Sequence, residues 1–421
     1  MSRIGRTRRK VARGLAVGLA LALPASAGAA EPFTVDSGGV KPHVAVGEDR
    51  TGHFVWEDAD ETAIAYCQVQ RGGRACTRSQ RWMGVEGMDI EGPRVLLHPD
   101  GRIIIIAERV CDRVALVSED GGATFSEPTA ISSGCLGTDE GFRAELGPGE
   151  DTVSYLHGGL FKAVPLSGPA TVGHTRLGPG FQSGLAFVDR LTPIVALSDL
   201  DEISFRVYHG AGDYNDASNW TPAKPVGSGD EPDLAGGLRG VYLSYETPSG
   251  RVISRYDREA GEFGEFEPPQ QISEGVGETN FSDLHQSASG SLHQTWTRPG
   301  SSPLEQRRSL DGVNWLPTET LADDEGGARD FFHQQLATAG DGGGFAVWDD
   351  YADGDVRAVE IATNDSVVPE PPELCRVRVG IAVAIAREGC FERQGSLYTA
   401  PGEVRINGID LSGPGKVRST P

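Results

Sequence analysis

Short apolar strands separated by tight polar turns recur along the chain in a unit of about fifty residues, which appears seven times between Lys41 and Ala362. Each unit opens with a short strand, turns, and continues into an apolar strand that often ends in an aromatic residue. Residues 42–58, 93–108 and 333–350 are clear examples. A period of this length, filled with strands, indicates a propeller, a solenoid or an array. Because helical periodicity is absent, the fold is predicted to be all-β.

Aligning the units predicts four strands, A to D, in each. The second unit shows the full set, at 94–98, 102–107, 113–118 and 124–131. The seventh unit lacks strand D, but residues 32–38 near the N-terminus resemble strand D of the second unit. The sequence therefore predicts a seven-bladed β-propeller whose N-terminal strand closes the last blade and removes an open sheet edge. Six blades with an additional hairpin is the alternative.

The two ends of the chain differ in composition from the repeats. Residues 1–30 combine a basic head, an apolar run and a small-residue tail, which is typical of a secretory signal peptide, and the arginine pair at 8–9 is also similar to a twin-arginine signal. We therefore expect bacterial export, by the Sec or Tat route, to the medium or the cell envelope. The remaining predicted units are the propeller (31–363), a Pro-rich linker (364–373), a small β module (374–411) and a disordered tail (412–421).

Charge restricts the partners. The full chain carries a net charge of −22, and removal of residues 1–30 leaves 32 basic against 60 acidic residues, a net charge of −28. Such a surface repels nucleic acid and anionic lipid, and favours glycans or basic extracellular partners. The longest late apolar run, 379–386, is too short to span a membrane. We expect a monomer.

Six cysteines in an exported protein predict disulfides rather than metal ligation, since no C-x-x-C spacing occurs. The layout of strands places three local pairs within reach of bridge geometry. These pairs are Cys67 with Cys76, Cys111 with Cys135, and Cys375 with Cys390.

Two turns carry a recognisable motif. Ser118, Asp120, Gly122 and Phe125 occupy the fixed positions of the pattern S-x-D-x-G-x-T-[FW], a shortened copy holds Ser309, Asp311 and Trp315, and 213–220 is a decayed third copy. Both good copies fall at a C–D turn. On these residues the chain resembles the Asp-box, or BNR-repeat, sialidase-like β-propellers over residues 32–363. The resemblance implies that the boxes are structural, with the carboxylate accepting amide hydrogens of the turn.

The catalytic motifs that this resemblance implies are incomplete. Arg94 and Arg143 stand in partial copies of the first sialidase motif, but a third arginine and a Tyr–Glu pair have no assigned positions. Seven blades also differ from the six that are typical of sialidases. The sequence therefore favours binding over hydrolysis, and we expect that the protein is not an enzyme.

The repeat alignment also places a polar residue at the start of every strand A. One interpretation is a wet channel mouth, and the other is a ligand site. In the second, Arg94 and Arg143 would clamp a carboxylate or phosphate, and three histidines from blades 1, 6 and 7 would hold a transition metal. The predicted ring is His43, Arg94, Arg143, Gln182, Asp233, His285 and His333.

Acidic residues concentrate in the B–C and D–A connections, which lie on one face. Asp349, Asp353 and Asp355 supply oxygen ligands that suit Ca²⁺, although a solvated acidic rim explains them equally well. Together with His43, His285 and His333, these residues are the metal candidates. Paired carboxylates on this face are also candidates for glycoside hydrolysis, but no pair can be chosen.

These observations predict an extracellular ligand-binding or scaffold protein that uses the acidic face and the polar ring at the channel mouth. A glycan-active hydrolase or lyase of sialidase-like shape is the first alternative. A metal-dependent enzyme is the second, and no cofactor is certain.

Overall fold

The strands pair into seven antiparallel sheets that surround a central channel, as a computed structural model of the chain describes. The innermost strand of each sheet neighbours the innermost strands of the sheets before and after it, and the seventh neighbours the first. The fold is therefore a closed seven-bladed β-propeller, as the sequence predicts. The residues described are 31–60, 62–84, 90–109, 112–134, 142–149, 151–180, 182–199, 201–210, 212–273, 280–298, 301–323, 331–350 and 354–361, with the backbone of 376–379, 382–386, 392–394, 397–406 and 409–418.

The first four blades, each from its innermost strand outward, are built as follows. Blade 1 contains β2 (Gly39–Val46), β3 (Gly52–Asp58), β4 (Ala63–Val69) and β5 (Arg78–Met83). Blade 2 contains β6 (Ile90–Leu97), β7 (Ile103–Arg109), β8 (Asp112–Ser118) and β9 (Thr129–Ser133). Blade 3 contains β10 (Arg143–Leu146), β11 (Thr152–His157), β12 (Leu160–Pro165) and β14 (Thr175–Arg176), and its β13 (Thr171–Val172) pairs in parallel with β9 of blade 2. Blade 4 contains β15 (Gln182–Asp189), β16 (Thr192–Asp199), β17 (Glu202–Val207) and β18 (Lys224–Ser228).

The last three blades follow the same order. Blade 5 contains β19 (Asp230–Gly237), β20 (Gly240–Thr247), β21 (Gly250–Asp257), β22 (Glu265–Phe266) and β23 (Gln270–Gln271), the last two both pairing with β21. Blade 6 contains β24 (Asn280–Gln286), β25 (Leu292–Arg298), β26 (Ser301–Ser309) and β27 (Glu319–Ala322). Blade 7 contains β28 (Phe331–Thr338), β29 (Gly344–Asp350), β30 (Asp355–Ile361) and, as its outer strand, β1 (Phe33–Ser37).

The seam of the ring confirms the predicted closure. Phe33 pairs with Ala358, so that the first strand of the chain is the outer strand of the last blade. Phe33 also meets Phe345 edge to face, with ring centroids 6.5 Å apart. Sealing the blade in this way leaves no unpaired strand edge where the ring closes.

The apolar core is divided into seven clusters, one between each pair of neighbouring blades. The cluster between blades 1 and 2, for example, packs Val55 and Tyr66 against Ile105 and Leu116. Both faces of each sheet are therefore buried against a neighbouring blade, which explains why second strands such as β3 and β7 are apolar almost throughout rather than alternating.

The two box-like motifs form tight turns of the kind expected. Asp120 Oδ1 accepts hydrogen bonds from the backbone N–H groups of Ala123 (3.0 Å) and Thr124 (2.9 Å). These hydrogen bonds, that from the Thr124 amide first, lower the pKa of Asp120 to about 2. Asp311 accepts in the same way from Val313 (2.9 Å) and Asn314 (2.7 Å).

One predicted disulfide lies within the described residues. Cys67 and Cys76 are bonded, with Cα atoms 5.4 Å apart, across the C–D hairpin of blade 1. Cys111, Cys135, Cys375 and Cys390 lie outside the described residues, as do the predicted signal peptide and the predicted linker.

Beyond the propeller, five strands form one further sheet, consistent with a β module. They are β31 (Arg376–Val379), β32 (Ala382–Ala386), β33 (Glu392–Gln394), β34 (Leu397–Ile406) and β35 (Ile409–Arg418). Strand β35 extends the sheet past residue 411, into the part of the chain that was expected to be a disordered tail. In the described part of the chain, we find no helix with the length and apolarity needed to traverse a bilayer.

Candidate functional site in the central channel

A β-bulge interrupts the innermost strand of five blades at equivalent places. The bulged residue has a positive φ in blade 1 (Lys41, 49°), blade 2 (Gly92, 56°), blade 5 (Glu231, 48°) and blade 7 (His333, 43°). A bulge of this kind inserts a residue and re-aims the side chains that follow it. The register shifts lie between Val40 and His43, Glu91 and Arg94, Asp230 and Asp233, Asn280 and Asp283, and Phe332 and Gln335.

Polar side chains of the preceding blade hold the bulges in place. Glu57 Oε2 accepts from the N–H of Gly92 (2.8 Å), and Asp349 Oδ2 accepts from the N–H of Lys41 across the seam (3.0 Å). These bonds satisfy amides that the bulge removes from the ladder, and so they offset a left-handed conformation that costs about 1 kcal/mol or more for a residue other than glycine. The acids on this rim therefore hold neighbouring blades together.

Gln182 and His333 belong to the same bulge layer and not to the ligand ring that the sequence predicted. Gln182 Oε1 accepts from the N–H of Glu231 (2.8 Å), and His333 Nδ1 lies 2.9 Å from Asp349 Oδ2. Neither residue lines the channel cavity. The alignment therefore misplaces these two residues, and in blade 7 the reason is the bulge, which shifts the register in a way that a sequence alignment does not reveal.

The residues that occupy the same level after the bulge form the real ring. It agrees with the predicted ring in blades 1, 2, 3 and 5, and lies two residues away in blades 4, 6 and 7. The ring also lies inside the channel and not at its mouth, because β2, β6, β19, β24 and β28 begin several residues earlier than expected. Its members are His43, Arg94, Arg143, Gly184, Asp233, Asp283 and Gln335.

Several ring side chains bind the inner strand of the next blade. Asp233 Oδ2 accepts from the N–H of Leu284 (2.5 Å), and Asp283 Oδ2 accepts from the N–H of Leu336 (2.6 Å). Each innermost strand is a sheet edge, so its amides need partners of this kind. One oxygen of each aspartate is therefore committed to the fold.

Blades 1 and 2 use the same arrangement with other chemistry. His43 Nδ1 accepts a hydrogen bond from the backbone N–H of Val95, and the two nitrogens are 3.3 Å apart. Arg94 donates from Nη2 to the carbonyl of Phe142 (3.1 Å), and its guanidinium carbon lies 5.4 Å from the centroid of the Phe142 ring. In blade 4, Gly184 leaves no space for a side chain, since a Cβ there would lie 2.9 Å from the N of Leu234.

The absence of a side chain at Gly184 coincides with a contact that spans blade 4. Arg143 of blade 3 places Nε 3.7 Å from Asp233 Oδ1 of blade 5. This Nε is buried and donates no hydrogen bond to any of the described residues. Arg143 is therefore oriented by the charge of Asp233 and not by a hydrogen bond.

These side chains line a cavity of about 260 Å³ in the channel. Two further polar residues, Glu145 and His285, lie one level along from the ring, each two residues beyond Arg143 and Asp283. His285 Nε2 lies 3.4 Å from the carbonyl of Thr338. For Glu145 we find no hydrogen bond within the part of the chain that is described.

The enclosed carboxyl groups favour protonation. Glu145 lies deep in the channel, where water still reaches it. Desolvation by the surrounding protein is the main cause that raises the pKa of Glu145, to about 7, and the charge of Asp233 is the second cause. Burial, and then the charge of Asp233, raises the pKa of Asp283 well above its usual value. Burial also raises the pKa of Asp233 itself.

The basic groups of the channel shift in the opposite direction. Burial, followed by repulsion from Arg143, lowers the pKa of Arg94 to about 9. Burial, and then the charge of Arg94, lowers the pKa of His43 well below its usual value, and burial followed by His293 lowers the pKa of His285 to about 4. Both imidazoles therefore favour the uncharged form.

The predicted metal sites do not form from the residues described. His43 and His285 line the channel, whereas His333 is bound to Asp349 at the bulge. Among the described residues, no three His, Cys, Asp or Glu side chains come close enough to hold a metal ion. Asp353 lies outside them, and Asp355 opens strand β30 opposite Asp350.

Sequence reasoning missed Asp283, Gln335 and Glu145. The sequence did indicate Asp283: it lies two residues before His285, so both side chains are expected on the same face of the strand, and it directly precedes the apolar Leu284. Glu145 likewise lies two residues after Arg143, on the same face of its strand. A search at every second position of strand A, instead of at one position, would have found all three.

The chain is similar to solved β-propellers, at low identity. YCF48 from Cyanidioschyzon merolae is 12% identical with a TM-score of 0.49, covering 79% of this chain and 98% of that chain. The Hadza microbial sialidase Hz136 is 14% identical with a TM-score of 0.43, covering 79% and 66%. The fungal Aleuria aurantia lectin, a six-bladed propeller, is 11% identical with a TM-score of 0.43, covering 79% and 99%.

No protein-family model matches the chain, and no curated protein sequence matches it. At these identities and TM-scores, the similarities agree with the propeller fold and carry no argument about function.

Proposed function

We propose that this protein is an extracellular binding protein that holds a small polar ligand in the central channel, with an anionic group of the ligand at Arg94 and Arg143. One observation carries the proposal. The Oδ2 atoms of Asp233 and Asp283 are committed to neighbouring blades, while Arg143 and Glu145 line the same cavity without a hydrogen-bond partner among the described residues. The bonds to neighbouring blades preorganise the two aspartates, and Arg143 and Glu145 add groups that a ligand can engage.

Charge supports an anionic group on the ligand. The lowered pKa of Arg94 is about 9, which is still above neutral pH. Burial raises the pKa of Asp283 and of Glu145, which reduces the negative charge that would repel an anion. Planar guanidinium groups such as those of Arg94 and Arg143 bind carboxylates in a bidentate manner.

Size and polarity narrow the ligand further. A cavity of about 260 Å³ is smaller than the roughly 300–1,000 Å³ typical of sites for drug-sized molecules. A carboxyl group that is protonated, or that has one oxygen without a hydrogen bond, can form hydrogen bonds with hydroxyl and amine groups of a ligand. The proposal is thus a small acid that also carries hydroxyl or amine groups.

The channel replaces the acidic face as the proposed binding surface. On that face Glu57 also pairs with Lys41 Nζ (2.7 Å), and Asp58 accepts from the N–H of Thr62 (2.7 Å) and from Arg81 Nη2 (2.5 Å). Carboxylates engaged in this way have little capacity left for a partner.

Glycoside hydrolysis is a second candidate, favoured by the Asp233–Asp283 pair. The charge of Asp233 contributes to the raised pKa of Asp283, and two carboxyl groups in different protonation states are the pattern used for general acid catalysis. Turnover of p-nitrophenyl glycosides that is lost in Asp283→Asn would support this candidate, and absence of turnover would leave binding as the function.

The test of the binding proposal is a thermal-shift screen of the purified protein at pH 6 with small hydroxy acids, amino acids and neutral monosaccharides. We expect hydroxy acids or amino acids to raise the unfolding temperature, and Arg143→Ala to abolish that increase. Arg190→Ala, at an exposed arginine outside the channel, is the matched control and should retain it. The proposal is wrong if no acid stabilises the protein, or if Arg143→Ala responds as the wild type does.

A further inference from the structure

A second and larger concave site lies between blades 4 and 5, among their A–B and C–D connections. Its volume is about 860 Å³, and none of its lining residues lines the channel cavity. The lining comes from the A–B turn of blade 4 (188–192), the C–D loop of blade 4 (207–214) and the C–D loop of blade 5 (256–263). We call it the interblade cleft.

The wall formed by blade 4 is rigid. The hydroxyl of Tyr208 donates to the carbonyl of Gly212 (2.7 Å) and accepts from its N–H (3.0 Å), so both polar groups of this loop residue are bound to one buried ring. The hydroxyl of Tyr214 donates to the carbonyl of Leu191 (3.2 Å), which ties the C–D loop to the A–B turn. Loops fixed in this way do not have to be ordered by a ligand.

Planar rings line the cleft on both sides. His209 of blade 4 is exposed and Phe263 of blade 5 is half-buried, with ring centroids 6.1 Å apart and planes tilted by 36°. Tyr208 and Tyr214 lie behind them, with centroids 4.3 Å apart. These rings offer broad apolar surfaces in a cleft whose rim is polar.

The charged groups of the cleft are balanced. Arg258 of blade 5 reaches Asp189 of blade 4, with Nη1 and Oδ2 2.7 Å apart and both side chains about two-fifths exposed. Arg190 and Glu262 add one further charge of each sign, and both are exposed. This balance contrasts with the surrounding protein, whose net charge after removal of residues 1–30 is −28.

We propose that the interblade cleft binds a neutral saccharide. Sugar rings combine an apolar face of C–H groups, which packs on aromatic rings, with pairs of hydroxyl groups that match the two nitrogens of a guanidinium and the two oxygens of a carboxylate. The cleft presents both features side by side. Its balanced charge favours an uncharged ligand over an acid or a base, because an ion would find one attractive and one repulsive group at similar distance.

This proposal does not depend on the channel. The two sites take ligands of different charge and share no lining residue. Failure of either one therefore leaves the other standing.

The experiment is saturation-transfer NMR of the purified protein with maltose, cellobiose and lactose as neutral probes and glucuronic acid as the anionic comparison. We expect transfer from the protein to at least one neutral disaccharide, and weaker transfer to glucuronic acid. Phe263→Leu keeps apolar volume but removes the ring, and His209→Ala removes an exposed ring without touching the core. Each should lower the affinity by roughly five- to tenfold.

Arg74→Ala, at an exposed arginine of blade 1 that lines neither cavity, is the matched control and should bind the neutral disaccharide as the wild type does. The proposal is overturned if no neutral probe shows transfer, or if glucuronic acid binds as well as the disaccharides. It is also overturned if Phe263→Leu and His209→Ala both keep the affinity of the wild type while circular dichroism shows that they are folded.

Discussion

In the channel, charged side chains are enclosed by protein, and each aspartate of the ring gives one oxygen to the neighbouring blade. In the interblade cleft, charged side chains are exposed and pair with one another. The difference follows from position. Inner strands meet edge to edge around the channel and need polar partners for their amides, whereas the cleft lies between loops whose amides reach water. Channel residues therefore combine stability with binding, and cleft residues are available for binding alone.

The largest effect on stability is expected from the removal of an aspartate of the channel ring. Asp283→Ala leaves the N–H of Leu336 buried without its acceptor, and an orphaned buried donor costs about 1–3 kcal/mol. We expect a loss of stability of this size in urea denaturation, with an unchanged m-value. Asp283→Asn keeps an oxygen acceptor and removes the repulsion from Asp233, so it should cost less than half as much. Equal losses in the two variants would contradict the role assigned to the carboxylate oxygen.

Near neutral pH, the stability of the protein is expected to depend on pH through Glu145 of the channel, and not through the carboxylates of the cleft. The folded-state pKa of Glu145 is about 7, above its ordinary value of 4.5, so the folded state binds this proton more tightly than the unfolded state does. The contribution of Glu145 is fully present below pH 4.5 and is lost as the pH rises towards 7. The slope should stay well below the limit of about 1.4 kcal/mol per pH unit, because channel water screens the charge.

Denaturation midpoints measured from pH 4.5 to 8 check this expectation. Glu145→Gln should flatten the decline, and Glu262→Gln, at an exposed carboxylate of the cleft, should leave it unchanged. A decline of the same steepness in Glu145→Gln would mean that another group titrates in this window.

The smallest expected effect belongs to the ion pair of the cleft. Asp189 and Arg258 are each about two-fifths exposed, and exposed pairs contribute about 0.2–1 kcal/mol. A double-mutant cycle of Asp189→Asn and Arg258→Gln should give a coupling energy in this range that decreases as salt is added. A coupling energy above about 2 kcal/mol would mean that the cleft pair stabilises the fold as the channel residues do. It would contradict the claim that cleft residues are available for binding alone.

The architecture could be predicted from the sequence because it depends on local signals. The alternation of strands and turns repeats seven times, and residues 32–38 resemble strand D of the second repeat closely enough to indicate how the ring closes. Such signals lie within about fifty residues of one another. The Asp120 turn was likewise predictable, since its donors lie three and four residues away.

The channel could be predicted only in part, because its register depends on bulges. His43, Arg94, Arg143 and Asp233 line the channel, although inside it and not at its mouth, whereas His333 is a bulge residue equivalent to Lys41. The bonds that explain the bulges join distant residues, such as Lys41 and Asp349, which are 308 positions apart. The interblade cleft was missed because its rings come from two loops in different repeats, and the decayed box copy at 213–220 gives no sign that the loop of blade 5 lies beside it.

The pairing of β1 with β30 has a consequence for how the protein is made. Strand β1 cannot find its partner until residues 355–361 have been synthesised. Blade 7 therefore assembles last, after translation of the propeller, and a nascent chain that stalls within this blade would carry unsatisfied edges on two strands at once. Such intermediates are prone to aggregation, so the seam is the part of the molecule where chaperone assistance would matter most.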